Sequence, residues 1–119
     1  KLQGRPKSVD ELGSQAQPAY FFIKAESKIY RIGYKDCLYL EAQGNYTKVV
    51  TVNATFLPKM AFSALIALLP GDLFIRVHRS FLINKSMIHH IDGNRVFIQD
   101  KEIPIAETYR DSFLSKLGL

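Results

Sequence analysis

The chain has 119 residues, enough for one domain, and its 47% hydrophobic content allows a sizeable buried core. No apolar run approaches the length of a membrane span and no signal-peptide pattern opens the chain, so we expect a cytoplasmic protein without a membrane partner. The formal net charge of +5 excludes little by itself, because a modest positive charge only weakly favours a polyanionic partner.

The first 18 residues have the composition of a linker. They are rich in glycine, proline, serine and glutamine and contain few large apolar side chains, so they cannot bury enough surface to fold alone. We therefore predict an interdomain linker over residues 1–18 and a folded domain over residues 19–119. Because the chain starts at Lys1 rather than Met, we expect a fragment of a longer protein, and we expect the linker to tether an upstream domain.

The first half of the folded part has the pattern of β-strands. Glu26-Ser27 and Gly44-Asn45 are turn signals between runs rich in aromatic and β-branched residues. The predicted strands are Tyr20–Ala25, Lys28–Gly33, Cys37–Ala42 and Tyr46–Val52. Alternation along the fourth strand places Thr47 and Val49 on one face and Tyr46 and Lys48 on the other.

The second half mixes short strands with two helices. Apolar spacing predicts helices over 61–69 and 106–117. The predicted strands are Phe74–Val77, Ser86–Ile91, Arg95–Ile98 and Glu102–Ile105, while Ser80–Lys85 fits either a turn of helix or a loop. The predicted fold is mostly β with two small helices, and the missing βαβ alternation argues against a doubly wound parallel sheet.

The sequence offers little support for an enzyme. It has no glycine-rich phosphate loop, no nucleophile elbow and no H-E-x-x-H motif. His89 and His90 are adjacent in a predicted strand, so their side chains should point to opposite faces and fail to share a metal. Cys37 lies in an apolar run and reads as a buried small hydrophobe rather than a reactive thiolate. We predict no enzymatic activity, no metal and no cofactor.

Basic residues concentrate in the middle of the chain. Between Gln43 and Ile91 the only acid is Asp72, so a surface built from this stretch would be positive without local cancellation. The cations of the stretch are Lys48, Lys59, Arg76, Arg79 and Lys85. Scattered solvated side chains are the alternative explanation, and composition alone leaves the two about even.

The run from Arg76 to Lys85 is the most informative segment. Its apolar residues can hold the backbone to the core while the cations project outward. The planar fork of arginine matches guanine O6 and N7 or a phosphate, whereas lysine suits phosphate positioning. The turn at Gln43–Lys48 offers amide, hydroxyl and ammonium groups on a rigid sheet. An ordinary strand connection remains the alternative for both segments.

The order of features from Ile32 to Leu117 resembles the LytTR family. The residues that carry the resemblance are Asp36–Glu41, Asn45–Thr47, Leu73–Asn84 with its F-x-R-x-H-R-S-F-L-I-N core, and Ile103–Ile105. The resemblance implies small antiparallel sheets stacked side by side. It also implies a bacterial two-component response regulator with an upstream receiver domain. Its loops would enter successive major grooves of promoter DNA. Two copies of the domain would bind repeated half-sites, as a homodimer on DNA.

The same resemblance implies roles for individual residues. The residues expected to read bases are Arg79, Asn45, Thr47 and Thr108. Lys48 and Lys85 are expected to bind phosphates because they lie in the acid-poor stretch, on or beside the DNA-facing loops, and Arg76 and Tyr46 are further candidates for phosphate binding. His78 is expected to brace Arg79 through a hydrogen bond, and Asn84 is expected to form a turn. Glu107 and Thr108 depart from the family pattern, which often has a basic residue in this loop.

Two other functions remain open. One is a dimerisation or ligand-binding module without DNA. The other is RNA binding by exposed rings on a sheet face, for which the candidates are Phe21, Phe22, Tyr30, Tyr34 and Tyr39.

A salt series separates DNA binding from dimerisation or ligand binding through apolar surface. We expect DNA affinity to fall steeply as salt rises, because each neutralised phosphate releases counterions. The measurement is the slope of the logarithm of the association constant against the logarithm of salt concentration. A flat slope would favour association through apolar surface.

Overall fold

The computed structural model describes residues 19–119, which form ten β-strands and two α-helices. The strands are β1 (Tyr20–Ala25), β2 (Lys28–Gly33), β3 (Cys37–Gln43), β4 (Tyr46–Thr51), β5 (Thr55–Phe56), β6 (Phe74–His78), β7 (Phe81–Asn84), β8 (His90–Asp92), β9 (Arg95–Ile98) and β10 (Lys101–Pro104). The helices are α1 (Phe62–Ile66) and α2 (Glu107–Lys116). The predicted linker at 1–18 lies outside the described residues.

The strands form three antiparallel sheets. The central sheet has five strands in the order β5-β4-β3-β7-β6, and the smaller sheets are the β1–β2 hairpin and the three-stranded β10-β9-β8. The mostly β fold with two short helices is therefore confirmed.

The central sheet is covered on both faces. Leu40, Val49 and Leu82 pack in one apolar cluster with the β1–β2 hairpin and α1. Ile75 and Ile83 pack in a second cluster with the three-stranded sheet and α2. Two separate cores, one on each face, therefore hold the three layers together, and the removal of apolar surface from water stabilises both.

The structure differs from the sequence-based prediction between residues 80 and 91. The segment that fitted a helical turn or a loop contains strand β7, whose four residues are all buried. The strand predicted at Ser86–Ile91 is wrong in its first half, because a 3₁₀ turn occupies Lys85–Met87 and β8 begins only at His90. Helix α1 is also shorter than the predicted 61–69, and β5 was not predicted.

The side chain of Asn84 causes this change of direction. Asn84 is fully buried, and its Nδ2 donates to the carbonyls of Tyr34 at 3.0 Å and Cys37 at 2.8 Å. Its Oδ1 accepts from the backbone N–H of Ser86 at 2.9 Å and from the Ser86 hydroxyl at 2.7 Å. One amide thus ties the end of β7 to the start of β3.

Cys37 is buried in the core, and burial raises the pKa of its thiol to about 12. The thiol therefore stays protonated at neutral pH and packs as a small apolar group, as the sequence predicts.

Replacing Asn84 with alanine should lower the free energy of unfolding by about 3 kcal/mol, because buried carbonyl and N–H groups lose their partners. Urea denaturation measures this loss. Ser86→Ala is the matched control, since it removes only one of the four hydrogen bonds and should cost about 1 kcal/mol. Equal stability of Asn84→Ala and the wild type would show that the amide does not hold the turn.

Candidate nucleic-acid interface

Two turns meet at one end of the central sheet. Strands β3 and β7 are antiparallel, with Glu41 opposite Phe81, and the Ala42 N–H donates to the Ser80 carbonyl at 2.9 Å. The β3–β4 turn at Gly44-Asn45 therefore lies beside the β6–β7 turn at Arg79-Ser80. Gly44 has a φ of 61°, which only glycine adopts without strain, so the first of these turns can be tight.

A third segment joins the same end. The Ala106 N–H donates to the Val77 carbonyl at 2.8 Å, which sets the first turn of α2 beside the end of β6. Thr108 is exposed in that first turn. We call the row formed by residues 43–46, 79–80 and 106–108 the turn end. It brings together Asn45, Arg79 and Thr108, three of the four residues predicted to read bases.

The backbone around Arg79 is held from several sides. The Ser80 N–H donates to Nδ1 of His78 at 3.1 Å. The Nη2 group of Arg76 donates to the Arg79 carbonyl at 2.6 Å, and its Nε donates to the His78 carbonyl at 3.4 Å. A bulge interrupts the pairing of β6 with β7 just before the turn. The Arg79 side chain itself is exposed, so its guanidinium extends from a fixed backbone.

Arg76 is placed as a brace for this turn. Its guanidinium lies over the rings of Phe62, at 5.1 Å, and Tyr109, at 5.6 Å, so it links α1, β6 and α2. Two of its donors already point at backbone carbonyls of the turn. Its contact with a phosphate stays a prediction.

Thr47 does not belong to the exposed surface. Its side chain is fully buried, its hydroxyl donates to the Met60 carbonyl at 2.8 Å, and its N–H donates to the Pro58 carbonyl at 3.1 Å. A buried side chain cannot reach the edge of a base without unfolding β4. The expectation that Thr47 reads bases is therefore wrong, and its role is to hold residues 58–60 against the sheet.

The two lysines predicted to contact phosphates lie at different places. Lys48 follows the β3–β4 turn and stands directly opposite Glu41 in the sheet. Lys85 follows the far end of β7, about 16 Å from Ser80 in the Arg79 turn at ~3.3 Å per residue. Its N–H bonds to the Leu73 carbonyl at 2.8 Å. The expectation that Lys85 sits beside the DNA-facing loops is corrected.

The expectation of a positive surface without nearby acids also needs correction. The stretch from Gln43 to Ile91 is poor in acids along the chain, but folding brings other acids to it. Glu41 faces Lys48, and Glu107 occupies the first turn of α2 next to Thr108. The turn end is therefore a mixed surface in which the basic groups are partly balanced.

Two cations at this end were not predicted as site residues. Lys24 and Lys59 are exposed and line a cleft of about 580 Å³ between the β1–β2 turn and Tyr46. Lys59 belongs to the acid-poor stretch, which was the one available signal. Nothing in the sequence places Lys24 near it, because the two lysines come from distant parts of the chain.

His89 and His90 behave differently from the expectation of opposite faces. Their Nδ1 atoms lie 2.8 Å apart, because His89 precedes β8 and the alternation of a strand does not apply to it. Among residues 19–119, no group of three or more metal-ligating side chains comes together.

The aromatic rings bear on the hypothesis of RNA binding. Of the rings considered for RNA stacking, Phe22 is exposed, whereas Phe21 and Tyr39 are buried.

Two observations concern the helices. Arg110 donates to the Gly93 carbonyl at 2.7 Å and so ties α2 to the β8–β9 turn. Neither helix in the described part of the chain is long and apolar enough to cross a membrane.

Comparison with known proteins defines the class to which this β-dominated domain belongs. Residues 27–118 match the family model of the LytTr DNA-binding domain, and the chain belongs to this family. A solved LytTr DNA-binding domain from Bacillus cereus superimposes with a TM-score of 0.75 at 27% identity, covering 87% of this chain and all of that one.

Two relatives are similar along almost the whole chain. Sensory transduction protein LytT of Enterococcus faecalis is 25% identical over 125 residues, which cover 98% of this chain and 50% of that protein. Sensory transduction protein LytR of Staphylococcus epidermidis is 22% identical over 121 residues, which cover 96% of this chain and 48% of that protein. The chain thus spans about half the length of these relatives.

The buried position of Thr47 generates a prediction. Thr47→Val keeps the shape of the side chain but leaves the Met60 carbonyl without its partner, so the free energy of unfolding should fall by about 1–3 kcal/mol. Preference among DNA sequences, measured on folded protein, should stay unchanged. Asn45→Ala is the control and should show the opposite pattern, with unchanged stability and altered preference. A changed preference in Thr47→Val would return this residue to the base-reading set.

Proposed function

We propose that this chain binds double-stranded promoter DNA in a sequence-specific way, as the output domain of a bacterial two-component transcription regulator. The turn end supplies the contacts, and its loops read successive major grooves of repeated half-sites. Membership of the LytTr DNA-binding family supports the partner. The arrangement of exposed side chains on braced turns supports the mode of binding.

The observation that carries the proposal is the placement of Arg79. An exposed arginine stands on a turn with two hydrogen-bonded carbonyls and a bonded N–H, so the backbone from which its side chain extends is fixed. A fixed backbone favours bidentate pairing with guanine O6 and N7, because it restricts the positions that the guanidinium can reach. Asn45 on the neighbouring turn and Thr108 at the start of α2 read bases on either side of it.

The width of the turn end sets how far its contacts reach along the duplex. From β4 across β3 and β7 to β6 there are three strand spacings of ~4.8 Å, or about 14 Å, and α2 adds further width. The major groove is about 12 Å wide, and it recurs on one face of the duplex about every 34 Å. One copy of the row therefore fills one groove, and a second copy on the repeated half-site reaches the next groove.

The remainder of the proposal concerns the parent protein. Residues 1–18 link the domain to an upstream receiver domain, and two copies occupy repeated half-sites as a homodimer on DNA. The two relatives are named as sensory transduction proteins and are about twice as long as this chain, which supports an additional domain. A promoter-binding domain of this kind acts in the bacterial cytoplasm.

Selection of bound sequences from a random duplex pool tests the proposal directly. Enrichment of one short motif, present in repeated copies at a fixed spacing, is the expected result. Recovery of unrelated sequences with equal affinity would leave only non-specific binding and would overturn sequence-specific recognition.

Arg79 provides the sharper prediction. Arg79→Ala should weaken binding to the selected site by about 1–3 kcal/mol and relax the preference at one or two base pairs, while binding to scrambled DNA stays nearly unchanged. Arg79→Lys should be a poor substitute, because it keeps the charge but loses the planar fork.

The measurements are affinities on specific and scrambled duplexes at fixed salt, with circular dichroism to check folding. Arg95→Ala is the matched control, since Arg95 is an exposed arginine that pairs with Glu102 on the three-stranded sheet at 2.8 Å. Equal losses on both duplexes would show that Arg79 contacts only phosphate.

A further inference from the structure

A cleft of about 580 Å³ opens between the tip of the β1–β2 hairpin and the start of β4. Its lining residues are Lys24, Ala25, Glu26, Ser27, Tyr46, Leu57, Lys59 and Met60. None of the base-reading residues lies in it, and its two cations have no role in the function proposed above. Both lysines and Tyr46 are exposed.

The cleft continues the turn end on the side away from Arg79. Thr47 bonds to the carbonyls of Pro58 and Met60, so residues 58–60 run beside the start of β4. The hairpin tip closes the other side of the cleft. The order along this edge of the molecule is therefore α2, the Arg79 turn, the Asn45 turn, and then the lysine cleft.

We propose that Lys24 and Lys59 bind backbone phosphates of the same duplex, just outside the base pairs that the turn end reads. This inference rests on the proposed DNA binding and extends its footprint to one side. Tyr46 is 46% exposed and Leu57 is 51% exposed, so the floor of the cleft offers apolar surface to a deoxyribose between two phosphates.

The chemistry of the cleft fits a phosphate better than a base. Ammonium groups are point charges without the fixed fork that base reading needs, so they add affinity without sequence information. Two lysines against the single carboxylate of Glu26 leave a net positive charge in the cleft.

The wall of the cleft is rigid at the hairpin tip. Glu26 and Ser27 have φ values of 55° and 65°, so the two-residue turn has a positive φ at both positions, the pattern of a type I′ turn. Ala25, next to this turn, is buried and paired with Lys28. Lys24 therefore projects from a fixed strand rather than from a loose loop.

The test is a salt series from 50 to 200 mM on a selected duplex that extends beyond the site on both sides. Each phosphate contact contributes about 0.9 to the slope of log affinity against log salt, so the double variant Lys24→Gln/Lys59→Gln should flatten the slope by about 1.8. Over this fourfold change in salt, wild-type affinity should fall ~12-fold more than that of the double variant.

Matched variants separate this contact from a general charge effect. Lys35→Gln removes an exposed lysine in the 3₁₀ turn before β3, which is separated from the β3–β4 turn by the length of β3, about 20 Å, and it should leave the slope near the wild-type value. Lys24→Arg/Lys59→Arg should also keep the slope, which excludes a loss caused by misfolding. Glu26→Gln should strengthen binding, because it removes the opposing carboxylate.

Ethylation interference locates the phosphates. In the wild type, ethylation of phosphates on one flank should inhibit binding, and in Lys24→Gln/Lys59→Gln that flank alone should become insensitive. If the wild type binds the duplex but the double variant keeps its slope and flank pattern, the phosphate site is disproved and the proposed function stands. If the wild type binds no duplex in this salt range, both proposals fall.

Discussion

The antiparallel pairing of β3 with β7 is the constraint on which the candidate interface depends. This pairing aligns Glu41 with Phe81 and allows the Ala42 N–H to bond to the Ser80 carbonyl, so two turns distant in sequence become neighbours. A shift of one residue would reverse which side chains of β7 face each core. Because both faces of the central sheet are buried and all four residues of β7 are buried, such a shift would move each side chain into the opposite core and would take Asn84 away from its hydrogen-bond partners. The packing of two cores thereby fixes the relative positions of Asn45 and Arg79.

Polar contacts complete what the apolar packing begins. The cores position strands, but they do not orient a turn that faces solvent. Arg76 and His78 do this by bonding to the main chain of residues 78–80, while Arg76 also lies between the rings of Phe62 and Tyr109. Arg76, which the sequence predicts as a phosphate contact, therefore also holds the backbone of Arg79 in place. Recognition by loops needs such support, because loops lack the stiffness of a helix inserted in a groove.

The sequence predicted elements best where buried and exposed residues alternate or a turn signal marks the end of a strand. The turn residues Glu26-Ser27 and Gly44-Asn45 delimit β1 to β4, and β3 was predicted although its first four residues are all buried. Strand β7 was not predicted, because its four residues are all buried. Such a short apolar run shows neither the two-residue period of a strand nor the 3.6-residue period of a helix. The base-reading role expected for Thr47 was wrong, although the alternation along β4 placed Thr47 on the same face as buried Val49. That role came from the resemblance to the LytTR family and not from the alternation. The position expected for Lys85 was wrong, because the extended strand β7 separates it in space from Arg79, although the two residues are close in sequence.

Charge shows the limit of sequence reasoning most clearly. An acid-poor stretch predicts a positive surface only if its neighbours in space come from the same stretch. Here Glu41 faces Lys48 across a strand pair, while Lys24 reaches the cleft of Lys59 from the hairpin. The folded surface thus places an acid opposite one of the expected cations and adds a cation from outside the stretch. Under the proposed function, specificity and affinity reside in different places. A braced arginine and the neighbouring turns would discriminate between bases, and the lysines beside them would bind the DNA backbone, which carries no sequence information.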